Sequence, residues 1–188
     1  MNKLILVPFQ PTCELLLIYY AELIKEKIKN KKGQIGKSSI EDVMLAIAKL
    51  KGDTKIGKKL FTQQGCVACH SIKKGEPLKG PYMGQIGSIM NREQIAESIL
   101  KPNASISQGF STVLITAKND KVYAGFITAE TAEKVTLRNI TGQEFIINTS
   151  DIISREELEN SMMPAGLANS LSFEEFASLI TYLSKQKK

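Results

Sequence analysis

Cys66, Cys69 and His70 stand within six residues, Gly65-Cys66-Val67-Ala68-Cys69-His70, and His70 is the only histidine among 188 residues. Thiolates and imidazoles bind metals, exchange electrons and attack carbon, so chemistry is expected here first. Three chemistries fit a CxxC. Structural zinc needs about four N or S ligands, and Cys13 is the one further thiol, with no other imidazole. A dithiol redox pair expects a βαβ setting, whereas a helical pattern, TKIGKKLFTQQ, leads into this motif. The five-residue form CxxCH is the signature of covalent haem attachment. Two thiols three positions apart can each add to a vinyl group of one porphyrin, and the adjacent imidazole then reaches the iron. One covalently bound haem c is therefore expected, on Cys66 and Cys69, with His70 as iron ligand. The second ring nitrogen of His70 should donate to a backbone carbonyl that orients it.

A second histidine ligand within the chain is impossible, and methionine is the usual alternative; His/Met ligation raises the reduction potential. The sequence offers Met1, Met44, Met83, Met90, Met162 and Met163. Met44 falls on a helical apolar stripe and reads as core. Met83 and Met90 lie in a glycine-rich stretch near the motif, as ligands or as packing against the porphyrin. Met162-Met163-Pro164-Ala165-Gly166-Leu167 differs, because Pro164 pushes Met163 into extended backbone and Gly166 favours a turn. Met163 is the expected sixth ligand, ahead of Met162; the bland alternative is that both methionines cover the core.

These groups need elements to position them. Leu17, Tyr20, Ala21, Ile24 and Ile28 repeat at helical spacing over residues 13–30. Ser38 with Glu41 reads as a capping box for a helix striped by Val43, Met44, Ile47 and Leu50 and stopped by Gly52. Asp53 caps the helix that runs into the motif. Asn91 with Gln94 starts another, ending before Pro102, and Ser172 boxed by Glu175 starts the last, carrying Phe176, Leu179, Ile180 and Leu183. Between these, the runs STVLITA, KVYAGFI, KVTLRN and QEFIINT are short and β-branched, with turns at Asn119-Asp120 and Thr141-Gly142. They predict a small antiparallel sheet at about 110–150.

The length suits one domain, or one with an appendage. A formal charge of +6 comes with lysine clusters at 25–37, 51–59 and 185–188. With no nucleic-acid motif, this reads as a solvated surface that steers acidic protein partners. Three cysteines make an odd count, which excludes a scattered disulfide framework. No run is long and apolar enough to span a bilayer. Pro8, Pro11 and Glu14 interrupt the opening MNKLILVPFQPTCELLLIYY as an export signal, and Gln10-Pro11-Thr12 leads poorly into a lipidated Cys13. A piece of a longer exported protein fits this opening better, with membrane association left open.

From about Asp53 onward these pieces resemble a class I c-type cytochrome. Gly57 and Phe61 match the glycine-then-aromatic pattern of that family's first helix, which implies Phe61 as a cofactor-binding residue, and Leu179, Tyr182 and Leu183 match the side chains it meets on the last. Gly80-Pro81 resembles the Gly-Pro that follows the motif, which implies that the Pro81 carbonyl takes the proton of the proximal imidazole. MPAGL, residues 163–167, resembles the distal loop. The order CxxCH, GP, ESILKPNASISQGF, β segment, SMMPAGL and ITYL further resembles the C-terminal haem-binding domain of bacterial membrane-bound dehydrogenase-like proteins. In those proteins it often follows a β-propeller and helical repeats. This chain carries no propeller, so the donor would be another chain or another part of the same polypeptide.

The resemblance implies a mainly α, cytochrome c-like fold: an N-terminal helical extension over 1–52, then a cytochrome domain over 53–188 containing the inserted sheet. The implied function is a monohaem electron carrier rather than an enzyme. It would pass single electrons from a dehydrogenase, for sugars or alcohols, to an oxidase or another cytochrome in the periplasm or another exported location. The alternative is a gas or redox sensor with a displaceable distal methionine. A haem that merely staples a docking domain is a third reading. A peroxidase lacks its distal base, since no second histidine exists.

Overall fold

The computed structural model describes residues 33–118 and 120–187. The helix expected over 13–30, together with Cys13 and Met1, lies outside the described residues, as does Asn119. The element order is α1 (Ile40–Lys49), α2 (Thr54–Gln63), α3 (Ile86–Ile89), α4 (Arg92–Leu100), five strands and α5 (Phe173–Ser184).

Local chemistry starts each long helix. The Asp53 carboxylate accepts from the amides of Lys55 and Ile56, at 2.7 and 2.9 Å. Those two bonds hold its pKa below the ordinary carboxylate value. Asn91 with Gln94, and Ser172 with Glu175, form complete capping boxes on α4 and α5. On α1 the expectation needs correcting by one residue: Ser39 is the cap and accepts from the Asp42 amide. Ser38 instead donates to the Gln34 carbonyl. Gly52 does not end α1 either, since the helix closes at Lys49.

The helices bury one core, in which Val43 and Ile47 of α1 join Leu60, Phe61, Ile95, Phe176, Leu179 and Ile180. The described part of the N-terminal extension thus shares the core of the helices that follow it. Ile35 and Gly36 donate backbone bonds to Leu171 and Asn169, and Phe173 donates to Gly33. Arg92 crosses between helices, giving one nitrogen to Thr181 Oγ1 at 2.6 Å and another to the Leu50 carbonyl at 3.2 Å. It therefore satisfies an orphan acceptor at the end of α1 and places a cation where the helix dipole favours one.

Helix α2 crosses α5 at Gly57. A Cβ added there would sit 2.0 Å from the Ser178 carbonyl oxygen and 2.7 Å from Tyr182 Cβ, so the two backbones touch. Alongside, the Asp53 amide donates to Ser178 Oγ at 3.0 Å. Phe61 packs on Tyr182 with ring centroids 5.9 Å apart, tilted by 57°, within the range that favours aromatic pairs. Gly87 in α3 repeats the device against Ser184, with a would-be Cβ 2.0 Å from its carbonyl oxygen.

The inserted segment forms β1 (Thr112–Ala117), β2 (Val122–Glu130), β3 (Lys134–Arg138), β4 (Glu144–Asn148) and β5 (Ile152–Leu158). The order across the sheet is β4-β3-β2-β1-β5, every pair antiparallel. Asp120 takes φ 58° at the first turn and Gly142 takes φ 87° at the third. Asn139 Oδ1 gathers the amides of Thr141 and Gln143 around that third turn. Val113, Ile115, Val135, Leu137 and Ile147 form a second buried cluster, joined by Tyr123, Ile127, Phe145 and Ile152. All five strands contribute to it, and among the described residues no helix packs broadly on it. Strand β2 carries a register shift between Ile127 and Ala129 where it pairs with β3.

Two sequence expectations are corrected here. The insertion runs to Leu158 instead of stopping near 150, because β5 pairs with β1 from Thr112↔Leu158 onward. As an edge strand its residues 153–157 are all exposed, so IISREEL shows no alternation to read. Among the described residues the fold is also mixed, with five helices and a five-stranded sheet, instead of mainly α. No helix among the described residues is long and apolar enough to cross a membrane.

The crossing predicts a stability change. Gly57→Val forces a side chain into the Ser178 carbonyl and should cost about 3 kcal/mol. Thermal unfolding followed by circular dichroism should show a melting temperature lower by roughly 6–12 °C. An unchanged melting temperature would contradict the close approach.

Candidate functional site

Helix α2 delivers the chain to Gly65, whose φ of 78° turns it into a 3-10 turn over Cys66–Ala68. The amides of Cys69 and His70 both donate to the Cys66 carbonyl, at 3.2 and 2.9 Å. One tight turn therefore carries both thiols and the imidazole. Cys66 and Cys69 are free and half-buried. Burial raises the pKa of the Cys66 thiol, against a backbone hydrogen bond that lowers it, while Cys69 nearby raises it further.

His70 is oriented by one bond. Its Nδ1 lies 2.8 Å from the Pro81 carbonyl oxygen. A carbonyl can only accept, so the proton sits on Nδ1 and Nε2 keeps its lone pair. No hydrogen bond occupies Nε2 among the described residues. Burial lowers the pKa of His70, partly offset by the Pro81 bond, so the ring favours the neutral form in which imidazole binds metals. Pro81 is itself held in place: the Met83 amide donates to the Ser71 carbonyl at 2.8 Å, and the Tyr82 hydroxyl to the Ile72 carbonyl at 2.9 Å. Gly80 leaves room for the ring, since a Cβ there would lie 3.2 Å from the Cys69 carbonyl oxygen and 3.4 Å from His70 Cε1.

The methionines divide. Met44, Met83 and Met90 pack against the helical core, and the Ser98 hydroxyl reaches the Met90 sulfur at 3.9 Å. Met162 and Met163 belong to neither buried cluster; both are half-buried in the loop from β5 to α5. That loop is pinned by side-chain bonds. The Met163 amide donates to Ser161 Oγ at 3.1 Å and the Ser161 amide to Asn103 Oδ1 at 2.9 Å. Asn103 Nδ2 also donates to Asn160 Oδ1, and Thr112 Oγ1 donates to the Asn160 carbonyl. Gly166 turns the loop with φ 81°. Sequence reasoning missed Asn103 and Asn160. The signal was weak, because polar residues before and after a sheet read simply as loop.

This donor set suits a haem joined through two thioethers. The thiols are free and share one turn, and a fixed imidazole presents a bare Nε2. It does not suit zinc, because among the described residues no three His, Cys, Asp or Glu side chains converge as a metal-holding group. Phe61, the remaining residue singled out from the sequence, is buried at the α2–α5 crossing.

No curated protein matches the chain. The family model described as Cytochrome c matches residues 54–187, from the first residue of α2 to the last described residue. That match spans most of the polypeptide, so the chain belongs to the cytochrome c family, whose members carry electrons on a covalently bound haem c.

Proposed function

We propose that this chain carries single electrons on one haem, with Cys66 and Cys69 as its thioether partners, His70 Nε2 as the proximal ligand and Met163 as the distal one. The observation that carries the reading is the His70–Pro81 bond, which fixes the tautomer and leaves Nε2 bare beside two free thiols. When bound, the haem supplies an iron that gains or loses one electron, at a potential set by its ligands and surroundings. The protein's work is to keep the geometry the same in both states. The turn at Cys66–Ala68 and the Pro81 carbonyl hold the imidazole. Asn103, Asn160 and Ser161 restrain the loop that carries Met163. Met163 is favoured over Met162 because Pro164 confines its backbone to extended geometry.

Redox protein partners follow from the family, and their finer identity belongs to this proposal. Lys74, Lys185 and Lys187 line one cleft with Ile72 and Tyr82, which suits an acidic partner steered by long-range attraction. A dehydrogenase as donor, an oxidase or second cytochrome as acceptor and an exported location agree with the order of motifs around the inserted sheet.

Three outcomes test the reading. Met163→Ala should abolish the sulfur-to-iron absorption band of the oxidised protein, lower its reduction potential and let carbon monoxide bind the reduced form rapidly, whereas Met162→Ala should change none of these. Rapid carbon monoxide binding by the unaltered protein at neutral pH would favour a sensor instead. Gly80→Val should crowd the imidazole and reduce covalent haem content several-fold, read from the alkaline pyridine spectrum. Changing Lys74, Lys185 and Lys187 to Glu should slow reduction by an acidic redox partner about tenfold at low ionic strength, with the difference vanishing in high salt.

A further inference from the structure

Strand β3 ends at Arg138, whose guanidinium leaves the sheet for the loop ahead of Pro81. One terminal nitrogen donates to the Leu78 carbonyl at 2.8 Å. The other pairs with Glu144, the residue opposite it on β4. The side chain is only 20% exposed, and its Nε is buried with no hydrogen-bond partner among the described residues. An arginine that served only to brace its hairpin would be satisfied by Glu144 and water. Here one terminal nitrogen is instead spent on the loop.

Leu78 stands three residues before Pro81, whose carbonyl takes the Nδ1 proton of His70. Gly80, between them, is buried against the imidazole. Gly142, at the tip of the β3–β4 hairpin, lies beside the Lys79 side chain: a Cβ there would be 3.3 Å from Lys79 Cγ. The stretch 78–81 is thus held by the sheet at one end and by the imidazole at the other.

We propose that Arg138 is a positioning residue: through Leu78 the sheet fixes the Pro81 carbonyl against His70, and so sets the electron-donating strength of the proximal ligand. A carbonyl that accepts from the far ring nitrogen makes imidazole a more basic ligand, and such bonds tune the potential of a bound haem. The proposal rests on His70 ligating the iron. It gives the inserted sheet a role in electron transfer that needs no partner.

The test uses the holoprotein and the double variant R138Q/E144Q, which removes the guanidinium while leaving the net charge of the pair at zero. With the anchor gone, the Pro81 carbonyl is a looser acceptor. The reduction potential should then rise, and the His70 Nδ1 proton of the reduced protein should exchange with solvent faster by nuclear magnetic resonance. Glu144→Gln alone leaves the Leu78 bond in place and should keep the exchange rate of the unaltered protein. If the double variant holds too little haem, R138M/E144Q carries the same comparison with an apolar stem of similar length. Unchanged potential and exchange in the variants lacking Arg138, or equal acceleration in Glu144→Gln, would overturn the proposal. An unaltered holoprotein with no reversible couple would instead overturn the electron-carrier reading beneath it.

Discussion

The backbone contact between Gly57 and Ser178 is the constraint on which the site depends. Helix α2 has no freedom to slide or tilt once its glycine lies on the carbonyl of a helix more than a hundred residues later in sequence. The Asp53 amide locks the same junction through Ser178 Oγ, and Phe61 closes it against Tyr182. Because α2 runs almost directly into Gly65, this junction sets where the 3-10 turn with its two thiols begins. Interiors pack densely and resist small displacements, so a crossing of two backbones is a firm base for a turn that must meet a rigid planar cofactor.

The imidazole and the methionine loop are held by different physics. A single hydrogen bond to Pro81 chooses the tautomer of His70, and burial lowers its pKa. The loop from β5 to α5 is tied by amide side chains: Asn103 bonds to Asn160 and Ser161. The sheet bonds to the stretches next to both. Thr112, at the start of β1, bonds to Asn160, while Arg138, at the end of β3, bonds to Leu78. Its apolar interior is separate from the helical core.

Much of the fold was legible because it is written in contiguous residues. Asp53, Asn91 and Ser172 cap their helices from within three positions, and Gly142 turns its hairpin from within the turn itself. The Ser38 expectation failed because Ser38, Ser39, Glu41 and Asp42 offer two nearly equivalent boxes one residue apart; the bond from Ser38 to Gln34 decides between them. Strand β5 was illegible for another reason. Exposed on both faces over residues 153–157, it exists because β1 offers it a ladder, and no side-chain pattern announces that. Counting this strand and its neighbours is what makes the architecture mixed rather than mainly helical.

The sequence by itself determined the donor set. Two thiols and one imidazole at CxxCH spacing restrict the chemistry before any folding is considered, and the lone histidine rules out a second imidazole from this chain. Only the tertiary structure decided which ring nitrogen of His70 is left bare among the described residues, which methionines are already used in packing, and that a guanidinium from the sheet reaches the loop ahead of Pro81. Spacing along a chain limits what neighbours can do together. The partners of Nδ1, of the Met90 sulfur and of Arg138 lie 8 to 60 residues away, and only chain closure around the two cores brings them within bonding distance.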